Sequence, residues 1–520
     1  MNTKNFDVLI IGCGIAGLTC AYRLLKEGKN VAIVTREEDP QISNTFWAQG
    51  GIIYTNKDDD NLGPDIQKAS SNTSHSDAIN VLKDRSAEIV DEVLLKMAKS
   101  EFQRDENGNL AFTREAAHSR DRILFKGDFT GKEIQVSLLN LLKNKESFPN
   151  LTFFQSYTAI DLITPKHHGV KITQRYEENK VVGAYLFDRK TGDVLKAIAK
   201  TTVLATGGIG SLYLHNSNSE GARGDGHAMA SRAGAALIDM EFIQFHPTTF
   251  YDNSSHRRFL ISEALRGEGG VLLNSKGERF MEKYHDDLEL APRDVVARAI
   301  AQETIETQNE CVYLDISFKD AQWIKSRFPT IYAHCLDKGL DMTKRAIPVV
   351  PAAHYTCGGV KIDLKGRTNL RYLYAVGEVA CSGLHGANRL ASTSLLEGLT
   401  WGYIAGEDIL KNLERDYYDS SLIQDWRAGT ESADRALISQ DWLTLKQSMW
   451  NYVGLNRSSN RLKRGRAMFR ELHDEIERFY KRCKLTDGLI GLRNAVEVSQ
   501  VVLNASMRNK ESIGCFYRKN

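Results

Sequence analysis

The chain has 520 residues, which at about 100–200 residues per domain is room for several units with cores of their own. Its composition, 42% hydrophobic and 26% charged, is that of an ordinary soluble globular protein. A formal net charge of +2 excludes a long-range field for nucleic acid or an anionic membrane, so any pull on an anionic substrate must come from local arginines and histidines.

The N-terminus, Met1 to Asp7, has no basic leader followed by an apolar core and a small-residue cleavage site. The most apolar stretch, Val8 to Ala21, is too short to span a bilayer and holds three glycines at motif spacing. A cytoplasmic protein is expected. The cysteines (13, 20, 311, 335, 357, 381, 483 and 515) form no CxxC or CxxCH, so buried reduced thiols are expected and no metal site.

In chain order, Phe6 to Gly12 reads as a buried strand and Ile15 to Glu27 as a helix with Leu18, Tyr22 and Leu25 on one face. Gly28 follows as a cap, and Val31 to Thr35 is a second strand. Such a β-α-β start puts a ligand at the carboxyl end of the first strand. Asp77 to Lys99 reads as one helix, and Val181 to Ala199 as a strand and hairpin turning at Gly192. Thr201 to Thr206 is a further short strand. From about Glu241 to Pro351 strands and loops mix with a helix, Pro292 to Glu306, which suggests a second domain inserted into the first. Leu373 to Val376 resumes the first domain, and Ser394 to Leu410 is its closing helix. Beyond about Leu422 the sequence is charged and amphipathic without strand patterns, as in a small helical bundle.

Gly12-Cys13-Gly14-Ile15-Ala16-Gly17 is a GxGxxG between that first strand and helix. The first glycine permits the tight turn, the second lets a pyrophosphate approach the backbone, and the third lets helix and strand pack closely. The acid that usually follows the second strand to bind ribose is replaced by Thr35, with Arg36, Glu37 and Glu38 after it, which disfavours NAD(P).

Three later segments carry a resemblance. Asn44-Thr45-Phe46-Trp47-Ala48-Gln49-Gly50-Gly51, Ala205-Thr206-Gly207-Gly208 and Leu373 to Ala380 resemble the flavoprotein subunits of the succinate dehydrogenase and fumarate reductase family over nearly the whole chain. The resemblance implies FAD bound by Gly12 to Gly17, Arg36, Asn44 to Gly51, Ala205, Thr206 and Gly207, with Asp225 also in contact, Glu378 on the ribityl chain, and Ser394 and Leu395 against the flavin ring. It also implies an α/β fold: a Rossmann-like FAD-binding domain (1–240 and 351–415), an inserted α+β capping domain (241–350) and a C-terminal helical domain (422–520). Covalent members of the family carry a histidine where this chain has Asn44, so the FAD is expected to be non-covalent.

The segments around Gln244-Phe245-His246, Ser262 to Gly269, Ala291 to Asp294, His354 to Gly359 and His385 to Arg389 resemble the family's active-site motifs. A C4 dicarboxylate needs charge-assisted donors in fixed positions. The resemblance implies Gln244, His246, Ser262, His354 and Arg389 as those donors. It makes Arg293 the group that exchanges a proton with substrate, with Glu263 and Arg266 as its relay. Arg293 carries its own hint: behind Pro292, in the first turn of a helix, the dipole disfavours a cation, so something other than helix stability selects it.

Phe112 to Arg120, Asn44 and the segment Tyr452 to Arg457 are similar to the L-aspartate oxidase branch of this family. Aspartate differs from succinate by an ammonium group, and the resemblance gives Glu115 to it. The implied reaction is oxidation of L-aspartate to iminoaspartate. Oxygen (giving hydrogen peroxide) or fumarate (giving succinate) would accept the electrons, and a quinolinate synthase would consume the product in NAD biosynthesis. A soluble fumarate reductase or succinate dehydrogenase flavoprotein subunit is the alternative. Because no flavin–histidine bond can form at Asn44, acid precipitation should release all the FAD; flavin absorbance left in the washed pellet would contradict this.

Overall fold

The computed structural model describes residues 1–55, 59–115, 117–252, 257–427 and 429–519. Strand Asn2–Ile11 lies inside a seven-stranded sheet, paired in parallel with Val31–Thr35 on one side and Val194–Leu204 on the other. Leu151–Gln155 extends the sheet beyond Val31–Thr35, and Leu373–Ala375 lies parallel to Val194–Leu204. Gly183–Asp188 and Tyr157–Leu162 add an antiparallel flank. Helices cover the parallel strands, so these read as continuous hydrophobic runs; all five residues of Val31–Thr35 are buried.

The hairpin expected at Gly192 forms, but its second arm and the strand expected at Thr201–Thr206 are one element, Val194–Leu204. No turn residue separates them. One strand can therefore pair antiparallel with Gly183–Asp188 and parallel with Asn2–Ile11. The helix expected over 77–99 is an α-helix, Ser76–Ile89, that widens into a π-helix, Val90–Met97. Hydrophobic periodicity does not distinguish the two hydrogen-bond registers.

A second sheet of four antiparallel strands runs in the order Ile243–Phe250, Ile347–Thr356, Val312–Asp315, Val271–Leu273. It has its own apolar core, in which Val296 and Ile300 of helix Arg293–Glu306 meet Leu272, Leu314 and Val349. Pro292 is the N-cap of that helix, with φ −49° and ψ 143°, rather than its first residue. Arg293 thus opens the helix. Toward the C-terminus, helices Arg435–Val453, Ser459–Arg482 and Asp487–Arg508 pack on one another, their amphipathic faces turned inward. The region is not wholly helical, since Arg457–Ser458 and Arg518–Lys519 form a short parallel bridge.

Helix Ile15–Leu25 packs against the long helix Thr393–Lys411 closely enough that a β-carbon at Gly402 would sit 2.4 Å from the Ala16 carbonyl oxygen. Gly12 is tighter still. Its φ is +122°, and a β-carbon there would lie 2.0 Å from the Ala205 carbonyl oxygen. The residue must bend the chain and let two strands touch at the mouth of the sheet. Gly12→Ala should cost about 1–3 kcal/mol in backbone strain alone, with the clash added to it. A lowered Tm and a chain stripped of flavin on gel filtration are expected; full flavin occupancy would contradict this reading.

Candidate active site

A cavity of about 1060 Å³ runs from the carboxyl end of strand Asn2–Ile11 to the four-stranded sheet. Of the residues that the resemblance assigns to FAD, substrate or proton transfer, all but Gly17, Phe46, Gln244 and Arg266 line it. Gly17 serves packing, since a β-carbon there would meet Gly12 O at 2.3 Å. Phe46 turns its ring edge to Trp47, with centroids 4.9 Å apart. Gln244 and Arg266 stand one layer behind the wall. Ala116, in the loop that carries Glu115, lies outside the described residues.

At the sheet end, the N-terminus of helix Ile15–Leu25 faces the cavity, with Ile15 N donating to Thr45 Oγ1 at 3.1 Å. Free amides and a positive dipole end suit a pyrophosphate. Thr206 Oγ1 is buried there without a protein partner, a donor left for a ligand. Arg36 lies at the far end of the wall, its Nε donating to Asp487 Oδ2 at 3.1 Å. Asp487 also accepts from Thr158 Oγ1 at 2.7 Å and from Arg223 Nη2 at 2.8 Å. Burial raises its carboxyl, but Arg223 and Arg36 outweigh that and hold it well below the usual carboxylate range. Asp225 accepts from Arg223 at 2.9 Å and from Asn494 at 2.8 Å. Tyr157, Thr158 and Ala159 line this end too, and no sequence motif announced them. The amide cradle, the unpartnered hydroxyl and the cavity's length fit a dinucleotide.

Midway, Asn44 Oδ1 accepts from Ser219 N at 2.9 Å and Ser219 Oγ at 3.1 Å. Glu378, half-buried on the cavity wall, accepts from Thr356 N at 3.0 Å. Burial pushes its carboxyl up to about 7 against the pull of Thr356 N, Arg389 and Asn44.

At the other end the charged side chains converge. Arg389 leaves the loop before helix Thr393–Lys411 and is held by Gln244 Oε1, at 3.2 Å from Nε and 3.0 Å from Nη2, and by Ser394 Oγ at 3.0 Å. The Tyr355 ring lies 4.5 Å from its guanidinium carbon. All these partners are neutral. Arg293 is instead paired: its Nε and Nη2 reach Glu263 Oε2 at 2.6 and 2.5 Å. Burial opposes charge on Arg293, yet Glu263 and Glu115 hold its pKa above the ordinary arginine value. Glu263 is likewise held low by Arg293 and Arg266 against burial. Arg266, fully buried, lies 3.7 Å from Glu263 Oε1 and donates to Glu289 O at 2.6 Å.

His246 and His354 face each other with ring centroids 5.6 Å apart. Burial first, then the surrounding arginines, keep both well below the usual histidine range, so both are neutral. Glu115 reaches the same chamber. Its Oε2 accepts from Ser392 Oγ at 2.8 Å, and Ser392 Oγ accepts from Gly51 N at 3.2 Å. Ser392 adopts φ +57°, a left-handed conformation that serine rarely takes. Periodicity and motif spacing carry no trace of such a position. Among the described residues no group of three or more His, Cys, Asp or Glu could hold a metal, and no helix is long and apolar enough to cross a membrane.

The family model described as an FAD binding domain matches residues 7–395. An L-aspartate oxidase of Pseudomonas aeruginosa is 40% identical over 98% of this chain and 94% of its own length. One of Halobacterium salinarum is 40% identical over 99% and 96%. Among solved structures, a variant FrdA chain of E. coli quinol fumarate reductase superposes with a TM-score of 0.87 at 26% identity, covering all of this chain and 92% of that one.

Glu378 yields a pH test. A carboxyl raised from 4.5 to about 7 makes the folded apoprotein bind a proton that the unfolded chain has released, so stability falls as pH rises across that window. In Glu378→Gln that slope should flatten, read as apoprotein Tm on either side of the window; an unchanged slope would refute the raised value.

Proposed function

The chain belongs to the L-aspartate oxidases of the succinate dehydrogenase and fumarate reductase flavoprotein family, and from that membership and the cavity's donors we propose how its residues carry out the reaction. The enzyme is an FAD-dependent oxidoreductase that converts L-aspartate to iminoaspartate, the first step of de novo NAD biosynthesis. FAD, when bound, would supply the acceptor for the hydride from C2, and oxygen (giving hydrogen peroxide) or fumarate (giving succinate) would take up the electrons. Residues 12–17, 44–51, 205–207, Arg36, Asp225, Glu378, Ser394 and Leu395 would hold it, within a domain formed by 1–240 and 351–415. Residues 241–350 act as the cap, and 422–520 form the helical domain.

Arg389, His246, Ser262 and His354 bind the two substrate carboxylates, with Gln244 aiming Arg389 from behind. The neutrality of Arg389's protein partners supports this assignment, because a buried guanidinium without an acid is costly until a carboxylate arrives. In fumarate reduction Arg293 supplies the proton that one substrate carbon takes up as the hydride adds to the other; in aspartate oxidation the hydride lost from C2 is balanced by a proton lost from the ammonium nitrogen. The raised pKa of Arg293 keeps it protonated and reluctant to release a proton alone, so the relay matters: a proton lost from Arg293 Nη2 is replaced through Glu263 Oε2, with Arg266 behind it.

One observation carries the choice of aspartate. Besides Glu263, which Arg293 already pairs, a second carboxylate, Glu115, enters the chamber and is pinned there by Ser392. Fumarate and succinate give it nothing to bind; an α-ammonium does. The imine product hydrolyses in water, so we assign its consumption to a quinolinate synthase. The buried, unpaired cysteines support a reducing, cytoplasmic setting.

Anaerobic flavin bleaching by L-aspartate, D-aspartate and succinate tests the assignment, with L-aspartate expected to act fastest. Glu115→Gln should lower kcat/KM for L-aspartate at least about a hundredfold, about 2.7 kcal/mol, because an ammonium would be left unpaired. Fumarate reduction by the variant should stay within about a factor of three. Equal losses in both would make Glu115 a loop support, and no loss in either would remove it from the site.

A further inference from the structure

His354 sits on strand Ile347–Thr356, and the loop 215–219 is stitched along that strand as an extra edge. Ala353 N donates to His215 O at 2.9 Å, Ser217 N to Ala353 O at 3.0 Å, and Asn218 Nδ2 to His354 O at 3.0 Å. The stitching brings Ser217 Oγ to 2.8 Å from His354 Nδ1, with both residues on the cavity wall.

Burial, Arg389, His246 and Arg293 all oppose charge on His354, so its imidazole carries a single proton. Which nitrogen holds it decides what the ring can do. A proton on Nδ1 leaves a lone pair on Nε2, which repels a carboxylate; a proton on Nε2 makes that atom a donor. Ser217's hydroxyl has two places to send its hydrogen. Ala353 O is 3.4 Å away and already accepts Ser217's own amide, whereas His354 Nδ1 is 2.8 Å away. The shorter, vacant acceptor wins.

We propose that Ser217 is a positioning residue that fixes His354 as the Nε2–H tautomer, so that a neutral histidine can donate to a substrate carboxylate. His246 has no such device. Its Nδ1 lies 3.0 Å from Thr248 O and 3.3 Å from Thr248 N, a donor and an acceptor from one residue, so the backbone leaves its tautomer open. The inference rests on the reading of His354 as a carboxylate donor.

The test uses the holoenzyme, with succinate titrated as ligand and followed by flavin absorbance. Ser217→Ala should weaken succinate about tenfold and Ser217→Thr by less than about threefold, with flavin content unchanged. In ¹⁵N-histidine-labelled protein, the Nε2–H signature of His354 should be present in the parent and Ser217→Thr and lost or mixed in Ser217→Ala. Should Ser217→Ala shed its flavin, Ser217→Cys, a weaker donor of similar size, replaces it and should lie between the two. If His354→Ala binds succinate as the parent does, the reading of His354 fails. If His354→Ala weakens binding while Ser217→Ala does not, or while the tautomer signature is unchanged in Ser217→Ala, the role of Ser217 is overturned.

Discussion

A buried guanidinium with only neutral partners is the constraint around which the chamber is organised. Arg389 is fastened by an amide, a hydroxyl and a ring face. Each fixes its direction without neutralising its charge. An acid in any of those places would give a buried ion pair, satisfied before substrate arrives. The three partners come from the paired strands Ile243–Phe250 and Ile347–Thr356 of the four-stranded sheet and from helix Thr393–Lys411, so the charge is held where that sheet meets that helix. Gln244 has every polar atom of its side chain committed to that loop. Its Oε1 faces the guanidinium, and its Nε2 donates to Arg389 O at 2.9 Å and Asn388 Oδ1 at 2.7 Å.

The second arginine is treated in the opposite way. Arg293 shares its charge with Glu263, and Arg266 supports the same carboxylate from its far side. On the roles proposed for them, pairing suits Arg293 as a group that moves a proton, because the partner can resupply it, and neutrality suits Arg389 as a group that only binds. Two arginines in one chamber acquire different chemistry from whether an acid stands beside them. The histidines follow from both. With two guanidiniums close by, neither imidazole takes up a proton, so hydrogen-bond direction rather than charge determines what each can offer an anion.

The far end of the cavity depends on a segment remote in sequence. Asp487, at the start of helix Asp487–Arg508, binds Arg36, Arg223 and Thr158, and Arg223 in turn holds Asp225. The C-terminal helices therefore brace the loop after strand Val31–Thr35 and the turn at Gly224-Asp225 by one half-buried carboxylate.

What the sequence by itself determined is the part whose physics is local. GxGxxG between a strand and a helix can be read from its own flanks, because the turn and the close approach of Gly17 to Gly12 lie within it, although Gly12 also answers to the remote Ala205 carbonyl. The position of Arg293 against its helix dipole was legible for the same reason, although Pro292 proved to be the cap. Family motifs then named Arg389, His246, His354 and Glu115, all of which line one cavity. Only the tertiary structure decided what each of them touches. Gln244 and Arg266 were named with the others yet stand behind the wall, a distinction of one side-chain layer that no spacing encodes. Ser392, Ser217, Thr158 and Asp487 were invisible because a serine, a threonine or an aspartate becomes specific only through its partner. Those partners lie 277, 137 and 329 residues away for the pairs Ser392–Glu115, Ser217–His354 and Thr158–Asp487. Hydrogen bonds of that reach are fixed by how the sheets and helices pack, and packing is settled by the whole chain at once.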